Sequence, residues 1–257
     1  MTRILTTAWL FVIFISSAPL FAAELPARSF GQLPMVDQPR LSPDGRHVAA
    51  ILNSEQGPTI TVSELDSAEV TPIVRLKYGR DRIDWILWAN NERLLVSVSE
   101  SMQLTGDKFR VSRLYQVGRD GKGMKQIYRK TPRDVHWWVH LYDTNTILSL
   151  LPDEPDKILM QLYDERDEGF AVFKVDIVKN RFDKQFPNTY EVDQWWANNK
   201  GEVVLGRQTD EDETTLWYRP EGQDKWQPMH TRKAFEDDTF TPVTIKGDKA
   251  YVISDYE

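Results

Sequence analysis

Five times along this chain a polar turn runs directly into a short apolar strand. Ser42-Pro43-Asp44-Gly45-Arg46 leads into 47–51, Ala89-Asn90-Asn91-Glu92-Arg93 into 94–98, and Asp143-Thr144-Asn145-Thr146 into 147–151. Asn198-Asn199-Lys200-Gly201-Glu202 leads into 203–205, and Lys246-Gly247-Asp248-Lys249 into 250–253. With Gly45, Glu92, Asn145, Gly201 and Gly247 as markers, the intervals are 47, 53, 56 and 46 residues. A period of about 50 residues made of turns and strands is the sequence signature of β-propeller blades. Helical periodicity is missing outside the first residues, so the expected fold is all-β: an incomplete β-propeller of about four complete four-stranded blades plus the start of a fifth.

The first unit shows why. Asp44-Gly45 makes a tight turn, because glycine tolerates positive φ and aspartate bonds its own backbone. Residues 48–52 are apolar enough for a strand covered on both faces, and 59–65 alternate apolar with polar. Asp66-Ser67 turns the chain and 70–76 return it. Unit two repeats the plan with strands at 94–98, 111–117 and 124–128, unit three with 170–178 and 181–186, and unit four with 216–219 and 225–229.

The N-terminus reads as an export signal. Arg3 supplies positive charge, residues 8–15 an apolar stretch, and Ala22-Ala23 a small-residue cleavage region. Ser16, Ser17 and Pro19 interrupt that stretch well short of the ~20 residues a membrane span requires. The expected layout is a signal peptide over 1–23 and a partial propeller domain over 24–257, in a periplasmic or secreted protein with no membrane attachment after cleavage. The chain has no cysteine, so neither disulfides nor a thiolate nucleophile enter. A net charge of −7 argues against a nucleic-acid partner, which would want a basic face.

The opening of the mature chain, Leu25-Pro26-Ala27-Arg28-Ser29-Phe30-Gly31-Gln32-Leu33-Pro34, is followed by Arg40-Leu41-Ser42-Pro43-Asp44-Gly45-Arg46-His47 and later by Trp88-Ala89-Asn90-Asn91-Glu92-Arg93-Leu94. Together these resemble the N-terminal propeller region of the prolyl oligopeptidase family of serine peptidases, in its bacterial exported dipeptidyl-aminopeptidase and acylaminoacyl-peptidase-like branch. The resemblance implies a propeller of about seven blades followed by an α/β-hydrolase domain carrying a Ser-His-Asp triad. That propeller would admit only short or unfolded peptides. No Gly-x-Ser-x-Gly occurs in this sequence, so no catalytic residue of the family is placed on any position. The expectation is a truncated or split propeller portion, inactive alone, whose partners are peptides and a hydrolase domain. A TolB-like protein-interaction propeller is the alternative, and a propeller glycosidase a third reading.

Other constellations compete with bland readings. His136 and His140, with Asp134 nearby, carry two zinc-type ligands but lack a third at fixed spacing, and an aromatic blade strand explains them better. No metal or other cofactor is expected. The acidic runs 153–156, 164–168 and 210–213 suit a peptide amino terminus by charge, yet read more simply as solvated loops. Trp85, Trp88, Trp137, Trp138, Trp195 and Trp196 recur just before the turns, which favours packing between blades over a ligand platform. His47 and His230 read as surface or turn residues.

Overall fold

The computed structural model describes residues 31–67, 69–79, 81–104, 106–129, 146–188, 191–220, 222–234, 240–246 and 249–255. The leader, the 134–140 segment with its two histidines, Trp137, Trp138 and the Asn145 marker lie outside them. Two units are distinguished: Met1–Leu33, of which only 31–33 are described, and Pro34–Glu257, which holds every strand among the described residues.

Eighteen strands among the described residues form five antiparallel sheets, each a simple meander. Sheet one runs β1 (Val36–Leu41), β2 (His47–Ser54), β3 (Gly57–Glu64) and β4 (Val70–Arg75). Sheet two has β5 (Asp81–Asn90), β6 (Arg93–Leu104), β7 (Asp107–Gly118) and β8 (Lys125–Ile127). Sheet three has β9 (Ile147–Ser149), β10 (Lys157–Asp164), β11 (Gly169–Asp176) and β12 (Arg181–Phe186). Sheet four has β13 (Val192–Ala197), β14 (Val203–Asp210), β15 (Glu213–Tyr218) and β16 (Gln227–Lys233). The two-stranded fifth has β17 (Phe240–Lys246) and β18 (Lys249–Ser254). These are four propeller blades and the first two strands of a fifth.

Sequence-adjacent sheets share a core. Ile51, Ile60 and Val62 of sheet one pack with Ile86, Trp88, Leu94 and Val96 of sheet two. Leu95 and Leu114 turn the other way, onto Ile158, Met160 and Phe173 of sheet three. Leu159 and Val172 then meet Val192, Trp195 and Val203 of sheet four, and Val204 and Leu205 meet Ile245 of sheet five. Neighbours such as Leu94 and Leu95, or Ile158 and Leu159, fill different seams because side chains alternate along a strand. A central strand must therefore be apolar at successive positions, which is why the 94–96 and 203–205 runs stood out in the sequence.

Two expectations need correction. The strands that follow the turns are the second of each sheet, and a first strand precedes the turn that opens each unit in the sequence. The tryptophans that recur before the turns are part of these first strands: Trp85 and Trp88 lie in β5, Trp195 and Trp196 in β13. In the third unit the register is also displaced. Residues 147–149 form the first strand, and the turn equivalent to Ser42–Gly45 is Leu151–Glu154, closed by Glu154 N donating to Leu151 O at 2.8 Å. Gly45 N to Ser42 O (2.9 Å) and Gly201 N to Asn198 O (3.0 Å) are its counterparts. Glu154 stands 62 residues after Glu92 and 47 before Gly201, so the extra length falls entirely between sheets two and three. The inner strand expected at 147–151 is thus the sheet's first strand, and β10 is its second.

Candidate functional site

A meander of antiparallel strands puts its connections at two ends. The first-to-second and third-to-fourth connections share one end, here the turn end. The second-to-third connections and the crossings to the next sheet share the other, the loop end. The turns before β2, β6, β10, β14 and β18 belong to the turn end, and those of sheets one to four touch in succession, whereas the 143–146 turn expected from sequence precedes β9 and is not among them. Asp44 N donates to Asn91 Oδ1 at 3.0 Å, and Asn90 Nδ2 donates to Pro155 O at 2.5 Å. Gly201, at φ +81°, sits so close to Leu151 that a Cβ there would lie 2.2 Å from Leu151 Cδ2.

Between sheets one and two the turn end opens into a cleft of about 610 Å³, lined by His47, Glu64, Glu69, Glu92, Arg93, Arg119, Asp120 and Lys122 among others. Arg119 holds it together. Its Nε donates to Glu92 at 3.0 Å, and its Nη1 lies 2.5 Å from His47 Nε2. A guanidinium has no acceptor, so that contact is a hydrogen bond only with a neutral imidazole protonated on Nδ1. His47, read from sequence as a surface or turn residue, is in fact buried at the start of β2, 8% exposed. His230 is half-buried in β16, its ring 5.4 Å from that of Phe240.

Ser42, Asp44 and His47 supply the three residue types of a hydrolytic triad within six positions, but not its geometry. Ser42 Oγ donates to Asp44 Oδ1 at 2.6 Å and accepts from the backbone N of His47 at 3.0 Å, while the imidazole faces Arg119. A nucleophilic serine needs a base on its hydroxyl. Here the hydroxyl proton serves the turn instead. The Ser42 bond, then the backbone N–H of Arg46, hold the Asp44 carboxyl below its ordinary range.

The three acidic runs end up in different places. Residues 153–156 lie at the turn end. Glu154 accepts from Lys157 (2.5 Å) and Lys174 (2.6 Å), and these bonds pull its carboxyl down to about 2. The other two runs lie at the loop end, in corresponding connections of sheets three and four. Asp164 is nearly enclosed. Burial opposes its charge, but the Arg166 backbone N–H, Lys184 (3.1 Å) and Arg129 (3.6 Å) outweigh it and leave the carboxyl low. Arg129 also donates to Glu165 at 2.6 Å, and Lys184 to Asp167 at 3.0 Å. That loop is neutralised. Residues 210–213 are exposed, and among the described residues no ion pair reaches them.

Two glutamines that carried no signal in the sequence bridge sheets. Gln38 donates through Nε2 to Asp84 O (2.9 Å) and accepts at Oε1 from Ile86 N (3.3 Å). Gln161 does the same to Asp193 O (3.1 Å) and Trp195 N (2.8 Å). Each amide takes the place of a neighbouring strand along the first strand of the next sheet. Trp88 Nε1 adds a bond to Arg40 O at 2.8 Å. Among the described residues, no group of three or more histidine, cysteine or acidic side chains is arranged to hold a metal.

No protein-family model matches the sequence, and no curated protein matches it either. Solved structures do. A prolyl endopeptidase is similar over 86% of this chain at 10% identity, with a TM-score of 0.54, and the chain spans 32% of its length. The acylaminoacyl peptidase of Pyrococcus horikoshii is similar over 86% at 12% identity, with a TM-score of 0.51, and 36% of its length is spanned. TolB from Acinetobacter baumannii gives a TM-score of 0.35 over 75% of the chain, too low to weigh. The chain thus covers about a third of the two peptidases it resembles, and at these identities the likeness establishes one thing, the β-propeller fold.

Proposed function

We propose that this chain is the propeller portion of an exported serine peptidase of the prolyl oligopeptidase type, where it filters peptide substrates for an α/β-hydrolase domain. The observation that carries the reading is the match of 86% of the chain to one part of a prolyl endopeptidase, together with the Ser42–His47 and Trp88–Leu94 phrases. The role is steric. A stack of sheets with filled seams presents a rigid wall, and an opening in such a wall passes an extended peptide but not a folded domain. Ser42 is engaged in its turn and offers no activated hydroxyl, which agrees with chemistry carried by another domain. The charge, apolar stretch and Ala22-Ala23 of residues 1–23 support an export signal, and with it a location outside the cytoplasm.

The test is to treat the purified chain with a serine-directed fluorophosphonate probe and short peptide esters. No labelling and no turnover are expected, and stoichiometric labelling of one serine would overturn the proposal. Sequencing the DNA downstream of Glu257 adds the positive arm: further blades and a Gly-x-Ser-x-Gly motif are expected, in frame or after a frameshift.

A further inference from the structure

His47 opens β2, where the register sets it opposite Glu64 of β3. Its ring reaches across the seam to sheet two, and the Arg119 guanidinium donates to Nε2 at 2.5 Å. With that nitrogen accepting, the ring proton sits on Nδ1, which is buried with no partner among the described residues. The neutral ring is therefore held by one bond, and no second bond resists its turning. A proton on Nε2 sets cation against cation at hydrogen-bond distance. Histidine is the side chain that gains such a proton between about pH 8 and pH 5.

The charged groups around the ring decide where each partner goes. From sheet one these are Asp44 and Arg46 in the preceding turn, then Glu64 and Glu69. Besides Arg119, sheet two presents Glu92, Arg93, Asp120 and Lys122. Lys122 pairs with Asp120 at 3.3 Å, and Arg93 bonds Gln116 at 2.9 Å. Glu92 is bonded by Arg119 Nε at 3.0 Å, a contact that asks nothing of His47. Glu64 accepts from Ser67 through Oε2 at 3.0 Å and has Oε1 for a further donor. Side chains directly opposite on antiparallel strands are neighbours, so that donor is within reach of the imidazole.

We propose that His47 and Arg119 form a proton-operated latch across the seam between sheets one and two. The neutral imidazole holds the guanidinium. The imidazolium releases it and turns to Glu64, while Arg119 keeps Glu92 and swings into the cleft. The sheets hold their places, because Asp44 N stays on Asn91 and the Gly121 turn lies against Ile73 of β4. Acid thus changes the wall of the cleft and leaves its frame alone: a cation tied down at neutral pH becomes mobile at the mouth.

Nitrogen NMR of the histidine rings and arginine side chains, followed from about pH 8 to pH 5, tests the latch. At the neutral end His47 should show the Nδ1–H tautomer, and Arg119 resolved Nη protons, because a latched guanidinium does not rotate. Those Nη signals collapse as the His47 ring takes its proton. His47→Gln, whose amide oxygen accepts from Arg119 and does not titrate, keeps them resolved over the whole range. Arg119→Met, at a more exposed position, leaves His47 with a mixture of both tautomers. Glu64→Gln makes release require roughly 2–5-fold more acid, the worth of one exposed pair. A wild-type His47 that carries its proton on Nε2 at neutral pH overturns the inference. So do Arg119 signals that stay resolved in acid, or that collapse equally in His47→Gln. The latch asks nothing of the peptidase reading, which the fluorophosphonate experiment decides alone.

Discussion

At the turn end the connections of one sheet bond those of the next: Asp44 to Asn91, Asn90 to Pro155, and Gly201 hard against Leu151. At the loop end the corresponding connections rely on charge. The 164–168 loop is held by Arg129 and Lys184, and the 210–213 loop stands in solvent. The turn end thus adds short amide bonds and close packing, which salt and pH scarcely touch, to the ion pairs that Glu154 and Arg119 make there. The loop end depends on ion pairs, which salt and pH do touch. The same strand skeleton carries a stiff rim on one side and an adjustable one on the other.

The largest expected effect comes from breaking the stiff rim. Gly201→Val puts a branched side chain at φ +81° and into Leu151, which is itself buried, and should destabilise by about 3 kcal/mol in urea unfolding. Next comes the loop end. Asp164→Asn leaves Arg129 and Lys184 without their shared, enclosed partner and should cost about 2 kcal/mol. The loss should shrink at high salt, unlike that of Gly201→Val. Lys184 responds in the same variant: burial lowers its pKa, but its bonds to Asp167 and Asp164 more than offset this, so removing one moves it back down.

A smaller effect is set by pH. Glu154 titrates near 2 when folded, below its ordinary 4.5. A depressed folded value means that its contribution is complete above about 4.5 and is lost as pH falls toward 2. Unfolding curves taken across that window should steepen in the wild type and flatten in Glu154→Gln. The smallest effect is expected at Glu211→Gln, an exposed carboxylate with no ion pair among the described residues. Its stability should stay within about 0.5 kcal/mol of wild type. A larger loss there would mean that the loop-end acids hold the fold together and are not merely solvated.

The sequence made the turn end legible and left the loop end obscure, for physical reasons. Turns need particular residues, so Asp44-Gly45 and Gly201 announce themselves. A strand covered on both faces needs an unbroken apolar run, and β2, β6 and β14 show one. The first strands lack both signals. β1 carries Gln38 with positive φ at a bulge and Pro39 beside it, and β5 begins Asp81-Arg82. Their trace in the sequence is the tryptophans before the turns, which read as packing residues and by themselves define no strand. The third register slipped because Asp143-Thr144-Asn145-Thr146 looks as much like a turn as Pro152-Asp153-Glu154-Pro155 does. Only pairing, β9 with β10, distinguishes them. The glutamine bridges were invisible because a lone amide says nothing of the backbone it meets: 46 and 48 residues on for Gln38, 32 and 34 for Gln161. The cleft around Arg119 was hidden for the same reason: His47 and Arg119 are 72 positions apart.

The order of the seams has a kinetic side. Each apolar layer joins sheets that follow one another along the chain, so no layer among the described residues must wait for a distant segment before it can form. Assembly can therefore advance from the N-terminal sheet, one blade's length at a time, each finished layer serving as the template for the next. A lesion in the 151–203 region should halt that advance midway, leaving the first two sheets already joined.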